Sequence, residues 1–360
     1  MGIKQTPPPP VLKRPSTRKG INMQQAILCP QCNAPLAPHP FARTIVCAYC
    51  GTTVQLDNSS VAAERFREAW RIWNEPASFN FSSYVSSGER HWAVEQLLAQ
   101  GEFADVYNAR RARCPTELVT LKILRDGCDP AAFENEWTVL QSLQNSKAAG
   151  AATFLRRIPQ PVLHGTLSDG IWGGRSFSIF RRAHGFQHTF EAVRQAYPAG
   201  IAAQASIWVW RRILETLSFL HNSGVIHGAV VPAHLLVQDN EHGVRLVGYG
   251  HAALEHEKLS AIPQEDQDFY PAGVYPGLKM SPALDIIMSA RCMSFILGGD
   301  PHAAALPSGV PQPLADYIRQ AAGADPTGFN AVTAWKMREE LGQISDRVFG
   351  PPRFLPINMP

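Results

Sequence analysis

The stretch Val225 to Gly250, VIHGAVVPAHLLVQDNEHGVRLVGYG, decides how the 360-residue chain is read. Its polar turn, Gln238 to Gly243, precedes an apolar strand, Val244 to Val247, that runs into Gly248-Tyr249-Gly250. That order predicts a hairpin whose outgoing strand stops at a glycine pair. Just upstream, Ile207, Trp210, Ile213, Leu214, Leu217 and Leu220 fall at the i, i+3, i+4, i+7 spacing of a buried helix, which Asn222-Ser223-Gly224 ends. Six of the twelve histidines (221, 227, 234, 242, 251 and 256) lie within 36 residues here. Neutral imidazole ligates soft metals and titrates near neutral pH, so the cluster is a candidate metal or proton-sensing site.

Composition bounds the rest. A chain of 360 residues exceeds one average domain, and 45% hydrophobic with 18% charged residues is ordinary for a folded soluble protein. No apolar run reaches the ~18 residues that span a bilayer, and MGIKQTPPPPVLKRP lacks the hydrophobic centre of a secretory signal. The expectation is a cytoplasmic protein with no membrane span. Residues 1–25 hold Lys4, Lys13, Arg14, Arg18 and Lys19 with no acid, whereas 27 bases face 30 acids from residue 57 onward. The net charge of +3 therefore belongs to the tail, whose four consecutive prolines and lack of apolar periodicity predict disorder. Met1-Gly2 followed by Thr6 fits a loose myristoylation pattern that is common by chance, and Met23 is an alternative start.

Seven cysteines make an odd count. Four stand in two pairs, Cys29-Pro-Gln-Cys32 and Cys47-Ala-Tyr-Cys50, with fourteen residues between, while Cys114, Cys128 and Cys292 are scattered. Two tight C-x-x-C turns brought together by an intervening hairpin suit a four-thiolate tetrahedral zinc site. The pattern resembles the zinc ribbons of many bacterial proteins. Four thiolates close the metal shell, so such a site is structural, not catalytic. A redox pair would come with a βαβ pattern and would not explain two pairs. From Ala26 to Leu56 the one formal charge is Arg43, and four thiolates on Zn²⁺ add about −2, which argues for protein docking over nucleic-acid binding.

Between the cysteines and the opening stretch the pattern is consistent. Residues 61–74 place Ala62, Phe66, Ala69, Trp70 and Trp73 on one helical stripe, and Asn80 to Gly88 reads as a linker. Leu98 to Tyr107 then holds one glycine, Gly101, between Ala99 and Ala104. Leu118 to Leu124 alternates as a strand carrying Lys122, and Phe133 to Leu143 reads as a helix in which Glu136 shares a stripe with Leu140 and Leu143. Phe177 to Phe180 fits a further strand, followed by Arg181-Arg182. Later come Tyr270-Pro271-Ala272, Asp285 and Asp325-Pro326-Thr327-Gly328-Phe329.

In this order and spacing, residues 91–345 resemble the eukaryotic-like protein-kinase fold, in a degenerate (pseudokinase) member with an amino-terminal four-cysteine zinc ribbon. The resemblance implies an α+β, two-lobed protein-kinase-like fold with a nucleotide cleft between the lobes. The expected domains are a tail (1–25), a zinc ribbon (26–56), a connecting helix and linker (57–90), an N-lobe (91–182), a C-lobe (183–345) and a C-terminal tail (346–360). It makes Gly101, Lys122 and Glu136 a vestigial nucleotide site, with Ala99 and Ala104 in place of the other loop glycines. It puts Ala229 where the catalytic Asp belongs, and His234 and Gly248 where the two magnesium ligands belong. Gly228 replaces the Arg of the catalytic loop, His227 is its packing histidine, and Ala272 and Phe329 replace both members of a Glu–Arg pair. Asp285 matches the Asp that opens the central C-lobe helix. Loss of the base alone would slow transfer roughly 10²- to 10⁴-fold.

The implied function is an inactive scaffold or regulator that binds a protein partner, with structural Zn²⁺ in Cys29, Cys32, Cys47 and Cys50 and with ATP bound weakly or not at all. One alternative is a weak or atypical ATP-dependent kinase or nucleotide transferase, since Lys122, Glu136 and Gly101 remain. A second is a nucleic-acid-associated zinc-ribbon protein that uses the ribbon and the basic tail.

Overall fold

The computed structural model describes residues 27–32, 34–36, 44–55, 83–183, 185–238, 243–326, 334–353 and 355–359. The tail at 1–25, the helix read at 61–74, His242 and Phe329 lie outside them. The chain divides into two units, Met1–Ser59 and Ser60–Pro360.

The first unit is two antiparallel hairpins. Strand β1 (Ile27–Leu28) pairs with β2 (Pro35–Leu36), and β3 (Thr44–Val46) pairs with β4 (Thr53–Gln55). Each hairpin turn carries one of the two cysteine pairs. The Cys29 N–H donates to the Ala34 carbonyl and the Cys47 N–H to the Thr52 carbonyl, both at 2.9 Å, so the two turns are closed the same way.

The second unit opens with a six-stranded antiparallel sheet in the order β5 (Ser83–Ser87), β6 (Arg90–Gln100), β7 (Ala104–Arg111), β8 (Cys114–Leu124), β10 (Ser176–Arg181), β9 (Gln160–Thr166). Alternation along β8 decides its two faces. Val119, Leu121 and Ile123 are buried in a core with Trp92, Phe177 and Ile179, which leaves Thr120 and Lys122 on the opposite face. The linker expected from Asn80 to Gly88 is overturned over its described part. Residues 83–87 form the edge strand β5, and Val85 is fully buried. Three serines around Tyr84-Val85 hid a strand whose partner, β6, supplies most of the apolar surface.

Helix α1 (Pro130–Gln144) starts where the Asp129 carboxylate accepts the Ala131 N–H at 2.9 Å and Pro130 fits the first turn. Its buried stripe is Phe133, Glu136, Leu140 and Leu143, so one carboxylate is carried into the interior. A short helix α2 (Ala151–Phe154) and the Leu155–Arg157 turn lead into β9. Beyond β10 lie a small sheet of β11 (Phe186–Thr189), β13 (Leu235–Gln238) and β14 (Val244–Leu246), and a β12 (Val225–Ile226) to β15 (Ala253–Leu254) pair. The helices of this half are α3 (Phe190–Ala196), α4 (Ala203–Asn222), α5 (Pro282–Ile296), α6 (Gln312–Ala322) and α7 (Ala334–Phe349). Nearly every residue of α5 is buried, as in a helix enclosed on all sides.

Glu215 on α4 fastens three elements together. Its carboxylate accepts from Arg157 at 2.7 Å, from Arg212 at 2.9 Å and from Arg338 of α7 at 3.0 Å. Burial alone would raise its pKa, but Arg212 and Arg157 hold it down to about 2. Removing one side of such a buried group typically costs about 3–5 kcal/mol. The tail expected at 346–360 is also corrected. Helix α7 runs past that boundary to Phe349, Ile357 is buried, and the Tyr197 hydroxyl donates to the Asn358 carbonyl at 2.6 Å. Among the described residues no helix is long and apolar enough to cross a membrane.

Candidate functional site

The four cysteines of the first unit converge. Their sulfurs all lie within 4.8 Å of one another, with Cys29 to Cys50 at 3.5 Å and Cys32 to Cys47 at 3.6 Å. A disulfide needs about 2.0 Å, whereas the edge of a tetrahedron of thiolates around one zinc is about 3.8 Å. The group could hold a metal ion.

In the second unit the organising group is Asp285, in the first turn of α5 and wholly buried. Its Oδ2 accepts the His227 N–H at 2.8 Å and the His221 Nε2–H at 2.9 Å, and its Oδ1 accepts the Gly228 N–H at 2.8 Å. The loop from 227 to 234 is thus hung on one carboxylate. His227 donates through Nε2 to the Val247 carbonyl at 3.1 Å and accepts the Ala229 N–H on Nδ1 at 3.3 Å. Both bonds suit neutral imidazole, and burial pulls its pKa down to about 4 against the field of Asp285.

His234 donates through Nδ1 to the Ala229 carbonyl at 2.9 Å, and its ring lies over Gly248. A Cβ built on Gly248 would overlap three atoms of that ring, and the Gly248 backbone is left-handed, at φ 81°. Gly228 is left-handed too, at φ 73°, and a Cβ there would meet Met280 and the His251 carbonyl. Ala229 is buried at 1% exposure. The three altered positions therefore interlock: the imidazole at 234 needs glycine at 248.

Lys122 Nζ pairs with one oxygen of Glu136, whose other oxygen accepts the Tyr249 N–H at 3.1 Å. Asn135, one residue before, donates to the Gly250 and Ala252 carbonyls at 2.9 and 2.7 Å. Helix α1 is thereby bound both to β8 and to the segment after Gly248. The turn between β6 and β7 is pinned as well. Arg125 Nη2 donates to the Gly101 carbonyl and, at 2.6 Å, to the Glu102 carbonyl, while the Glu102 carboxylate meets His251 Nε2 at 2.8 Å. Phe103 points inward, edge-on to Phe133 and His251, with Lys122 Nζ 5.5 Å from its ring centre. A Cβ on Gly250 would sit 2.6 Å from Phe103 Cζ, so this glycine leaves room for the ring.

Between sheet and helices opens a cavity of about 460 Å³. Ala99 and Val106 line it with Leu236 and Val247, and its charged lining residues are Lys122, Glu136, Arg181, Arg182 and Arg245.

The histidine cluster does not form a metal site among the described residues, where the four cysteines are the only group of three or more suitable ligands. Each histidine is spent separately: His221 on Asp285, His227 on Val247, His234 on Ala229, His251 on Glu102 and Ser260. Sequence reasoning missed Phe103, Arg125 and Arg245. It also missed Arg291, which donates to the Asp268, Tyr270 and Ala322 carbonyls at 3.0, 2.8 and 3.2 Å. Near Ala272, this guanidinium fastens to the large helical half the segment that a Glu–Arg pair was expected to hold. The signal available was a lone arginine in the apolar run of α5.

No protein-family model matches the chain, and no curated protein does. Solved structures match over most of it. Vaccinia related kinase 3 aligns at a TM-score of 0.57 and 18% identity, over 79% of this chain and 95% of that one. The BubR1 kinase domain aligns at 0.54 and 13%, over 79% and 91%. A rhoptry kinase from Toxoplasma gondii aligns at 0.53 and 17%, over 73% and 84%. The chain has an α+β protein-kinase-like fold with a four-cysteine cluster near its amino terminus.

The interlock of His234 with Gly248 yields a measurable coupling. Gly248→Asp alone should destabilise by roughly 2 kcal/mol or more, from overlap and left-handed strain together. Adding His234→Asn should return about 1 kcal/mol or more of that loss. Urea unfolding of the four proteins of this cycle measures it, and additive effects would contradict the interlock.

Proposed function

We propose that this chain is a catalytically inactive protein-kinase-like scaffold or regulator that docks on a protein partner. The observation that carries the reading is the joint arrangement of Ala229, His234 and Gly248. Phosphoryl transfer in this fold is positioning plus neutralisation of charge by metal. Ala229 offers no base, and the His234 ring fills the space that a carboxylate on residue 248 would need. The pinned turn supports the same reading, because Phe103 packs against Lys122 on the side where a glycine-rich loop would cover phosphates. Exposed Val46 and Tyr49 on the uncharged cysteine unit, and Ile171 on the sheet half, favour protein docking over nucleic-acid binding. The described cysteines are all free, which suits a reducing cytoplasm.

A second reading, a weak or atypical ATP-dependent kinase or nucleotide transferase, is favoured by the intact Lys122–Glu136 pair. Calorimetry separates the two. The scaffold reading expects ATP to bind weakly, with a change of less than about threefold on adding magnesium, because neither metal-ligand side chain remains. Tight, magnesium-dependent binding would establish the second reading instead.

For the cysteine cluster we propose structural zinc, held by Cys29, Cys32, Cys47 and Cys50. The sulfur spacing and the matching backbone closure of both turns support four equivalent thiolate ligands. Metal analysis of the purified protein should find about one zinc per chain. Cys29→Ser or Cys50→Ser should lower that content and make the first unit protease-sensitive while the second unit still unfolds cooperatively. A metal-free protein whose first unit resists protease would contradict the assignment.

A further inference from the structure

One charge in the cleft has no counterpart. Arg245 is 6% exposed and lines the cavity from β14, beside Leu236, its register partner on β13. Among the described residues no carboxylate pairs with it and no hydrogen bond satisfies its guanidinium. Burial accordingly pulls its pKa down to about 10, with only the Tyr249 ring system near enough to oppose this. The hydroxyl of Tyr249 is itself buried without a partner. Arginine is almost never buried alone, because the guanidinium gives up its hydration for nothing.

The rest of the lining has the same imbalance. Lys122, Arg181, Arg182 and Arg245 face the cavity against one acid, Glu136, whose two oxygens are already taken by Lys122 and the Tyr249 N–H. Apolar walls from Ala99, Val106, Leu236 and Val247 complete an enclosure of about 460 Å³, within the usual size range of small-molecule sites.

We propose that this cleft binds a small organic anion whose phosphate or carboxylate group pairs with the Arg245 guanidinium, without a divalent metal. The planar fork of arginine matches either oxyanion in two parallel hydrogen bonds. The apolar walls take the body of the ligand, and Arg181 and Arg182 at the rim draw the anion in. The arrangement differs from a magnesium–nucleotide site in placing the anionic group on the β13–β14 floor and not beneath the pinned turn at Phe103. It rests on the reading that this cleft no longer holds a metal–triphosphate.

The test uses the full-length zinc-loaded protein, with magnesium omitted from the buffer. Titration calorimetry with pyrophosphate, AMP, citrate and uncharged adenosine should give binding by at least one anion and much weaker binding by adenosine. Pyrophosphate and AMP report a phosphate preference, and citrate a carboxylate one. Arg245→Met should weaken the anion about 30-fold or more. It should also raise the unfolding temperature of the unliganded protein, since an unpaired buried charge has been removed. Arg245→Lys should keep part of the affinity. Equal binding of adenosine and AMP, no binding by any of the three anions, or a lower unfolding temperature for unliganded Arg245→Met would each overturn the proposal. The last would mean that the guanidinium is paired within the protein, for instance by Asp239 or Glu241 of the adjoining turn. Tight ATP binding that appears only on restoring magnesium would instead overturn the scaffold reading.

Discussion

The buried carboxylate of Asp285 is the constraint on which the large helical half depends. With no solvent exposure it must be fully paired, and its donors are two consecutive backbone N–H groups, at His227 and Gly228, and the His221 ring. Two adjacent amides aimed at one carboxylate determine the backbone path of the loop without help from its side chains. The Tyr270 hydroxyl, donating to the Gly228 carbonyl at 2.9 Å, holds the same peptide from the other side. Side chains at 229, 234 and 248 were therefore free to change while the loop kept its shape.

The same division between architecture and chemistry runs through the cleft. Glu136 lies on the buried stripe of α1, so its charge has to be met, and Lys122 and the Tyr249 N–H meet it. That pair survives as a structural clamp between sheet, helix and the segment after Gly248. Groups whose work would be on a nucleotide have been replaced by groups that work on the protein. His234 bonds the Ala229 carbonyl, Phe103 packs under its turn, and Arg291 bonds backbone carbonyls near Ala272. The cleft stays open, and its unmatched charge is positive.

What was legible in the sequence was whatever depends on order and spacing. Lys122, Glu136 and Asp285 each sit in a periodic segment that predicts which face they occupy, and the structure brings the first two together and buries the third. The cysteine pairs were legible because two residues between cysteines determine a turn. What escaped depends on contacts between distant segments. Nothing local to Phe103 says that Gly250 leaves a space for its ring, and nothing local to Arg245 says that no acid will face it. Its signal was present all the same: an arginine amid Val244, Leu246 and Val247, in a strand whose neighbours are all apolar. The edge strand Ser83–Ser87 and the packed residues after 346 were missed for the converse reason, since their own composition is too polar or too irregular to declare the surfaces they cover.

The central claim is that cleft architecture persists here without phosphoryl chemistry. Its most direct measurement is transfer of radiolabelled γ-phosphate from ATP with magnesium, to the protein itself and to a generic substrate, for the parent and for Lys122→Ala. The account predicts background counts from both proteins. Transfer by the parent that Lys122→Ala abolishes would contradict it and would require a base and metal ligands other than residues 229, 234 and 248.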